Sequence, residues 1–140
     1  MQTTTPAAVT DRIRRACRAM APHEPIYVAS IPDPDSRPSW CFANVAKRVA
    51  RDGGTILHGW AIWQVAGLYI EAEHHAVWQA DDGALTDISP QFAAPSTILF
   101  LPDPDTHYDT HRPRANRLFA DAATGVSRDF VRLAQLRTVI

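Results

Sequence analysis

Residues 71–90 form the stretch EAEHHAVWQADDGALTDISP. Its first half, up to Gln79, has the residue pattern of a β-strand, and Asp81-Asp82-Gly83 predicts a tight turn into a second strand. A strand presents successive side chains on opposite faces, so His74 and His75 point to different sides of the sheet. The stretch therefore predicts a β-hairpin with one histidine on each face of its first strand.

The length of the turn decides which histidine meets Asp87 across this hairpin. A three-residue loop, with Gly83 in the left-handed conformation, leaves His75 diagonal to Asp87 on one face. A two-residue loop places Asp87 on the face of His74 instead. The sequence alone leaves this register open.

Upstream of the hairpin, Cys41 begins a predicted helix that runs to Asp52 and ends at Gly53-Gly54. Ser39 is the predicted N-cap, and a proline-rich loop at 31–38 precedes it. The first turn of a helix carries unpaired N–H groups and a partial positive charge, which favour a thiolate. Cys41 is therefore a candidate nucleophile, although a free cysteine is often only a buried apolar residue.

Periodicity predicts the remaining elements in the order helix, short strand, helix, several antiparallel strands and further helices. The first helix begins at either Thr5-Pro6 or Thr10-Asp11. The predicted strands cover residues 26–29, 55–64, 68–79, 84–89 and 96–101, and the predicted C-terminal helices cover 113–123 and 127–137, the second capped by Ser127.

Length and composition exclude several classes of protein. The chain has 140 residues, enough for one domain, and we assign residues 1–140 to it. Its 14 basic and 15 acidic residues give a net charge of −1, which provides no argument for binding nucleic acid or an anionic membrane. Two cysteines form no disulfide framework, and no apolar run is long enough to span a membrane. We expect a cytoplasmic protein, and the preference for arginine suggests a GC-rich bacterial genome.

The order of Cys41, His75 and Asp87 resembles the papain-like clan of cysteine hydrolases and transferases, most closely its transglutaminase-like core. The matching motifs are the cysteine at a helix start, His75-Ala76-Val77-Trp78, Gly83 and Asp87-Ile88-Ser89-Pro90. The resemblance covers residues 39–90 and favours His75 over His74, because alanine follows the base in the aligned motif. It implies an α+β fold in which the cysteine-bearing helix packs on an antiparallel sheet with flanking helices.

The resemblance also implies cysteine-dependent acyl chemistry, in which an amide, peptide or isopeptide bond is hydrolysed or transferred through a thioester on Cys41. His75 is then the base, and Asp87 orients it. We expect no cofactor and a peptide or small amide or acyl substrate. The chain is short for the clan, which predicts a shallow cleft or one that a protein partner completes. The candidate substrate-binding residues are Trp40, Trp60, Glu73 and Trp78, and the side-chain amides in range of the nucleophile are Asn44 and Gln64.

Two other interpretations stay open. The same fold can serve as a non-catalytic binding or adaptor domain. Alternatively, Asp105, His107, Asp109 and His111 alternate along the chain and would share one face of an extended segment, where they could hold a metal ion. We favour a polar loop at these four positions and expect no metal site.

Overall fold

The computed structural model describes residues 2–106 and 114–139. Its elements follow one another as α1 (Asp11–Met20), β1 (Ile26–Ser30), α2 (Cys41–Asp52), β2 (Thr55–Val65), β3 (Tyr69–Gln79), β4 (Leu85–Asp87), β5 (Thr97–Pro102), β6 (Arg117–Ala120) and α3 (Gly125–Val139). The protein is therefore of the mixed α+β class that the sequence predicts. Within these ranges, no helix has the length and apolar character needed to cross a membrane.

Five strands close into a small barrel. Their hydrogen-bonded order is β2-β5-β1-β4-β3, and β3 pairs again with β2 to complete the circle. In the described ranges the barrel pairs are antiparallel except for β1 with β4, which run parallel. The sequence predicted antiparallel strands but neither the parallel pair nor the closure, because both depend on pairing between strands that are distant along the chain.

Closure of the barrel gives each strand an inner face, which points into the barrel, and an outer face, which points away from it. The interior holds a cluster of apolar side chains, namely Val28, Ala61, Trp63, Val77, Ile98 and Phe100. On the outside, α1 packs through Ile13 and Cys17 against outward-facing residues that include Trp60. The second helix packs through Val45 against Ala76, also on the outer face of β3. His75 shares the inner face with Val77, and His74 shares the outer face with Ala76.

The predicted helix starts are partly right. Helix α1 begins at Asp11, and the side chain of its N-cap Thr10 accepts a hydrogen bond from the Ile13 N–H at 3.2 Å. Helix α2 has the predicted bounds, but its N-cap is Trp40 rather than Ser39. Ser39 has a φ of 63°, a left-handed conformation that turns the chain sharply just before the helix.

The C-terminal region differs from the prediction. A helix over 113–123 was expected, and that expectation is wrong within the described residues, because Arg117–Ala120 form β6. This strand pairs antiparallel with Tyr69–Ala72 at the start of β3. Helix α3 begins at Gly125, two residues before the expected cap Ser127, whose hydroxyl instead donates to the Leu68 carbonyl. Strand pairing with β3 outweighs the helical tendency of this short segment.

Candidate active site

His75 and Asp87 are brought together by the hairpin between β3 and β4. The Ala80 N–H donates to the Ala84 carbonyl at 2.9 Å, and Trp78 pairs with Thr86, which is the register of the three-residue loop. His75 Nε2 donates to Asp87 Oδ1 at 2.9 Å. The structure thus resolves the open register in favour of His75.

The carboxylate of Asp87 is fully buried and shared among several donors. Besides His75, it accepts hydrogen bonds from the Ser89 N–H at 3.4 Å and from Gln91 Nε2 at 2.9 Å. A buried charge is tolerated when hydrogen bonds and an opposite charge compensate it. These contacts hold the carboxylate in one orientation, and the carboxylate in turn fixes the ring of His75.

Cys41 lies near the His75 ring. It is the first residue of α2, is 9% exposed, lines the same cavity as His75, and is one of the groups that raise the pKa of the ring. Because Nε2 of the ring is bonded to Asp87, Nδ1 is the ring nitrogen that is left for the thiol.

The charge state of His75 follows from these two neighbours. Burial of the ring acts to lower its pKa, but the hydrogen bonds and charges of Asp87 and Cys41 outweigh burial and raise the pKa of His75 from 6.5 to about 10. At neutral pH the ring is then an imidazolium. An imidazolium beside a cysteine favours the nucleophilic thiolate form.

The His75 ring is backed by Phe100 inside the barrel. The two ring centroids are 6.4 Å apart in an edge-on arrangement. Gly59 pairs with His75 across β2 and β3, and a Cβ at this glycine would lie 2.6 Å from Phe100 Cζ and 2.1 Å from the Leu101 carbonyl oxygen. Only glycine therefore leaves room at position 59 for the ring that supports His75.

Asn44 ties together the two segments that carry the nucleophile and the carboxylate. Its Oδ1 accepts from the Arg37 N–H at 3.0 Å, and its Nδ2 donates to the Arg37 carbonyl at 2.8 Å and to Ser89 Oγ at 3.0 Å. With these bonds made, Asn44 is a structural clamp and not a free donor toward a substrate. Gln64 lies elsewhere and donates to Asp121 Oδ2 at 2.8 Å.

An ion-pair cluster holds the loop before α2 in place. Asp33 is 6% exposed and pairs with Arg48 at 3.0 Å and with Arg51 at 2.6 Å, both on α2. The Arg51 hydrogen bond is the main cause that lowers the pKa of Asp33 to about 2. The Asp33 N–H also donates to the Ile88 carbonyl at 2.9 Å, one residue after Asp87. The cluster thereby fixes α2 relative to the end of β4.

Cys41 and His75 open onto a cavity of about 650 Å³. The other described residues that line it are Pro38, Ser39, Phe42, Glu73, His74, Ser89, Pro90, Gln91, Phe92, Arg114 and Asn116. The wall therefore combines aromatic and proline surface with charges of both signs. Its size suits a small molecule or the side chains of a peptide.

One of the four candidate substrate-binding residues, Glu73, lines this cavity. Trp40, the residue before Cys41, is not among the lining residues; its side chain is 56% exposed, and the Arg37 guanidinium lies 5.5 Å from its ring centroid. Glu73 has a raised pKa, caused mainly by burial.

The other two candidates, Trp60 and Trp78, do not line the cavity either. Trp60 is 5% exposed in the outer core, and its Nε1 donates to Asp103 Oδ2 at 3.0 Å. Trp78 Nε1 donates to the Gly53 carbonyl at 2.9 Å, and Arg48 stacks on its ring at 4.2 Å. Both rings point outward from the barrel toward helices, because their strand positions alternate with those of the interior.

His74 has a separate role from His75. Its Nε2 contacts the Thr106 carbonyl at 3.0 Å, and its ring packs 5.0 Å from Phe42 and 5.2 Å from Trp60. Burial lowers the pKa of His74, so its ring stays neutral near pH 7. It forms part of the cavity wall and does not bond to Asp87.

Three residues at the site were missed by the sequence reasoning, namely Gln91, Arg114 and Asn116. Gln91 follows Pro90 in an irregular segment with no periodicity that could assign it to Asp87. Arg114 and Asn116 come just before β6, which pairs with the start of β3. A helix over 113–123 does not predict this pairing, so it gives no reason to expect either residue at the site.

No group of three or more histidine, cysteine, aspartate or glutamate side chains is arranged to hold a metal ion within the described ranges. Of the four residues considered for metal binding, Asp105 is described, whereas His107, Asp109 and His111 lie outside the described residues. The interpretation of that segment as a polar loop stays a prediction.

Comparisons with known protein families, with curated proteins and with solved structures find no match to this chain. Its function is therefore inferred from the geometry and chemistry of the site.

Proposed function

We propose that this protein is a cysteine-dependent acyl hydrolase or acyltransferase that acts through a thioester on Cys41. One observation carries the proposal: a buried His75 is bonded to the Asp87 carboxylate and lines, together with Cys41, a cavity of about 650 Å³. This set of contacts is the nucleophile–base–orienter arrangement of cysteine acyl-transfer enzymes. The resemblance of residues 39–90 to the papain-like, transglutaminase-like core suggests the same chemistry.

The first step forms the thioester. The Cys41 thiolate, its proton held by His75, attacks the carbonyl carbon of the amide, and a C–S bond forms as the carbonyl electron pair moves to oxygen. His75 then donates its proton to the amide nitrogen, the C–N bond breaks, and the amine leaves. Asp87 stabilises the imidazolium throughout, through the 2.9 Å bond to Nε2.

The second step releases the acyl group. Water or an amine gives up a proton to His75 and attacks the thioester carbon, after which the C–S bond breaks and the Cys41 thiolate returns. Water yields a carboxylic acid, and an amine yields a new amide. The proposal covers both outcomes because the same residues perform either one.

The start of α2 supplies stabilisation for the oxyanion. Trp40, the N-cap, makes no side-chain capping bond, and the first N–H groups of a helix have no acceptor within the helix. The N–H of Cys41 is thus suited to donate to the oxyanion, assisted by the positive end of the helix dipole. Because Asn44 and Gln64 are bonded elsewhere, neither side-chain amide serves as the second donor.

The rim of the cavity fits a peptide or a small amide, or a protein partner that covers the cleft. Phe92, which lines the cavity, is 81% exposed, and Trp40, the residue before Cys41, is 56% exposed. Large exposed aromatic side chains are enriched where a protein meets a ligand or a partner. A working thiol at Cys41 also suits a reducing compartment such as the cytoplasm.

The test compares the two cysteines. Cys17 is 1% exposed, and burial together with Glu24 raises the pKa of Cys17 to about 11. Brief treatment with iodoacetamide at pH 7, followed by peptide mapping, should label Cys41 at least about 100-fold faster than Cys17. Treatment with p-nitrophenyl acetate should leave an acetyl thioester on Cys41, which His75→Ala should abolish. Equal labelling of the two cysteines would leave a non-catalytic binding domain as the better interpretation.

A further inference from the structure

Ser89 is a buried serine at the wall of the cavity of about 650 Å³, which we call the main cavity. It is 2% exposed and lines this cavity together with Cys41 and His75. Its Oγ accepts a hydrogen bond from Asn44 Nδ2 at 3.0 Å, and its backbone N–H donates to Asp87 Oδ1 at 3.4 Å. The side chain and the backbone of Ser89 are therefore each held by a neighbour at the site.

The direction of the hydrogen bond between Asn44 and Ser89 follows from the peptide groups of Arg37. The Arg37 N–H can only donate, and it faces Asn44 Oδ1 at 3.0 Å. The Arg37 carbonyl can only accept, and it faces Asn44 Nδ2 at 2.8 Å. These two contacts fix the orientation of the side-chain amide. Because the amide nitrogen only donates, Ser89 Oγ is the acceptor in its bond with Asn44.

The hydroxyl hydrogen of Ser89 is not used in these contacts. A serine hydroxyl can donate one hydrogen bond in addition to those it accepts, and the described residues include no acceptor for this hydrogen. A buried donor without an acceptor is unfavourable, so such a group normally has a partner. Because Ser89 lines the main cavity, a ligand inside the cavity can supply the missing acceptor.

Asn44 holds this hydroxyl beside the first turn of α2. Asn44 follows Cys41 by three residues, so the two side chains are neighbours on one face of the helix, and both are buried. Ser89 Oγ lies 3.0 Å from the Asn44 amide and so next to the helix end that carries the thiol. The hydroxyl of Ser89 and the backbone N–H of Cys41 are therefore two donors at the same end of α2.

The other polar side chains at the cavity wall are less suited to stabilise an oxyanion. Gln91 Nε2 and His74 Nε2 already bond to acceptors in the protein. Ser39, Arg114 and Asn116 are exposed. A donor to an oxyanion is most effective when it is held in place before the reaction, and the buried hydroxyl meets this requirement.

We infer that Ser89 is the second oxyanion donor of the proposed acyl transfer. As the Cys41 thiolate forms the C–S bond, the carbonyl electron pair moves to oxygen, and this oxygen accepts hydrogen bonds from the Ser89 hydroxyl and the Cys41 N–H. Ser89 keeps its proton, and the electron pair returns to form the carbonyl again when the C–N bond breaks. This inference rests on the proposed function, to which it adds a catalytic residue.

The test compares two reactions of the same thiol. Acetylation by p-nitrophenyl acetate passes through an oxyanion and releases 4-nitrophenolate, whereas alkylation by iodoacetamide displaces iodide and forms no oxyanion. Ser89→Ala should therefore lower the acetylation rate of Cys41 by about 100-fold, as expected for the loss of one oxyanion donor. The alkylation rate should stay close to the wild-type value, because the backbone N–H of Ser89 still bonds to Asp87.

Ser127→Ala is the matched control. Ser127 is also buried, and its hydroxyl donates to the Leu68 carbonyl and accepts from the Asp121 N–H, away from the main cavity. This variant loses a buried hydroxyl and some stability, but the ratio of its acetylation rate to its alkylation rate should equal that of the wild type.

Ser89→Thr and Ser89→Val form a second pair, whose side chains have the same shape and differ in the hydroxyl. The ratio of acetylation to alkylation should be higher in Ser89→Thr than in Ser89→Val, and this comparison holds even if Ser89→Ala does not fold. Equal ratios within this pair, or a wild-type ratio in Ser89→Ala, would overturn the inference and leave the proposed function intact. Absence of an acetyl thioester on the wild-type protein would instead contradict the proposed function, and with it the role of Ser89.

Discussion

Gln91 Nε2 donates to Asp87 Oδ2 at 2.9 Å, on the oxygen opposite the one that accepts from His75. The carboxylate is thus held from both sides, by an imidazole and by an amide. Gln91 also lines the main cavity, so a ligand that contacts it can influence the orientation of Asp87. The orientation of His75, the proposed base, therefore depends on Gln91 in the loop after β4 as well as on the hairpin that carries Asp87.

The first prediction concerns this shared carboxylate. Asp87→Asn should lower the alkylation rate of Cys41 at neutral pH by about tenfold or more, because an amide does not stabilise the imidazolium. Gln91→Leu should act in the same direction with a smaller effect, since it removes one of the donors that orient Asp87. Alkylation rates between pH 5 and 10 measure both effects, with circular dichroism to check the fold.

The matched control for Gln91→Leu is Gln79→Leu, on the exposed part of the hairpin, which should leave the rate unchanged. If Asp87→Asn only lowers the melting temperature and the pH–rate curve is that of the wild type, Asp87 is a structural residue at a strand end. The proposed catalytic residues are then at most Cys41 and His75.

The second prediction separates the two histidines. His75→Ala should remove most of the reactivity of Cys41 below pH 8, because the imidazolium beside the thiol is lost. His74→Ala should retain that reactivity but lower the melting temperature, since His74 packs between Phe42 and Trp60. Iodoacetamide kinetics and thermal melts on both variants distinguish the two roles. The opposite pattern would show that His74 is the base.

The third prediction concerns acid stability. Asp33 has a pKa of about 2 in the folded protein against an ordinary value of 3.8, so its ion pairs stabilise the fold above pH 3.8. This stabilisation should disappear as the pH falls from 3.8 through 2. Asp33→Asn should therefore be less stable than the wild type at pH 7 and should approach it at pH 2, as measured by urea denaturation. A constant difference across this pH range would contradict the prediction.

Asp35→Asn provides the comparison for Asp33→Asn. Asp35 also contacts Arg51, at 3.5 Å, but its side chain is 61% exposed. Exposed ion pairs contribute little to stability, so this variant should behave like the wild type at every pH.

The fourth prediction concerns the space opposite His75. Gly59→Ala should destabilise the protein by about 3 kcal/mol, because the added carbon meets the Leu101 carbonyl oxygen and the Phe100 ring in a closely packed interior. Gly125→Ala is the control, since nothing lies within 4 Å of a Cβ there. Chemical denaturation of both variants provides the comparison, and equal stability of the two would show that the barrel interior is not tightly packed at this point.

Features that depend on local periodicity could be predicted from the amino-acid sequence. The bounds of α2, with Cys41 as its first residue, follow from helical spacing and from the Gly53-Gly54 ending. Strand alternation predicts that His75 and His74 lie on opposite faces of β3. The turn at 81–83 predicts that one of the two histidines meets Asp87 across the hairpin. These signals arise from residues close together along the chain, so they can be read without the rest of the fold.

The register of the hairpin and the environment of the site depend on the folded protein as a whole. Closure of the barrel through β2 with β3 and β5 set Phe100 behind His75 and turned Trp60 and Trp78 outward, away from the cavity. Gln91 met Asp87 because the loop after β4 folds back over the barrel. Each of these contacts depends on pairing between segments that are distant in sequence, and the energies of such pairings are decided by the packing of the whole barrel and not by any single stretch.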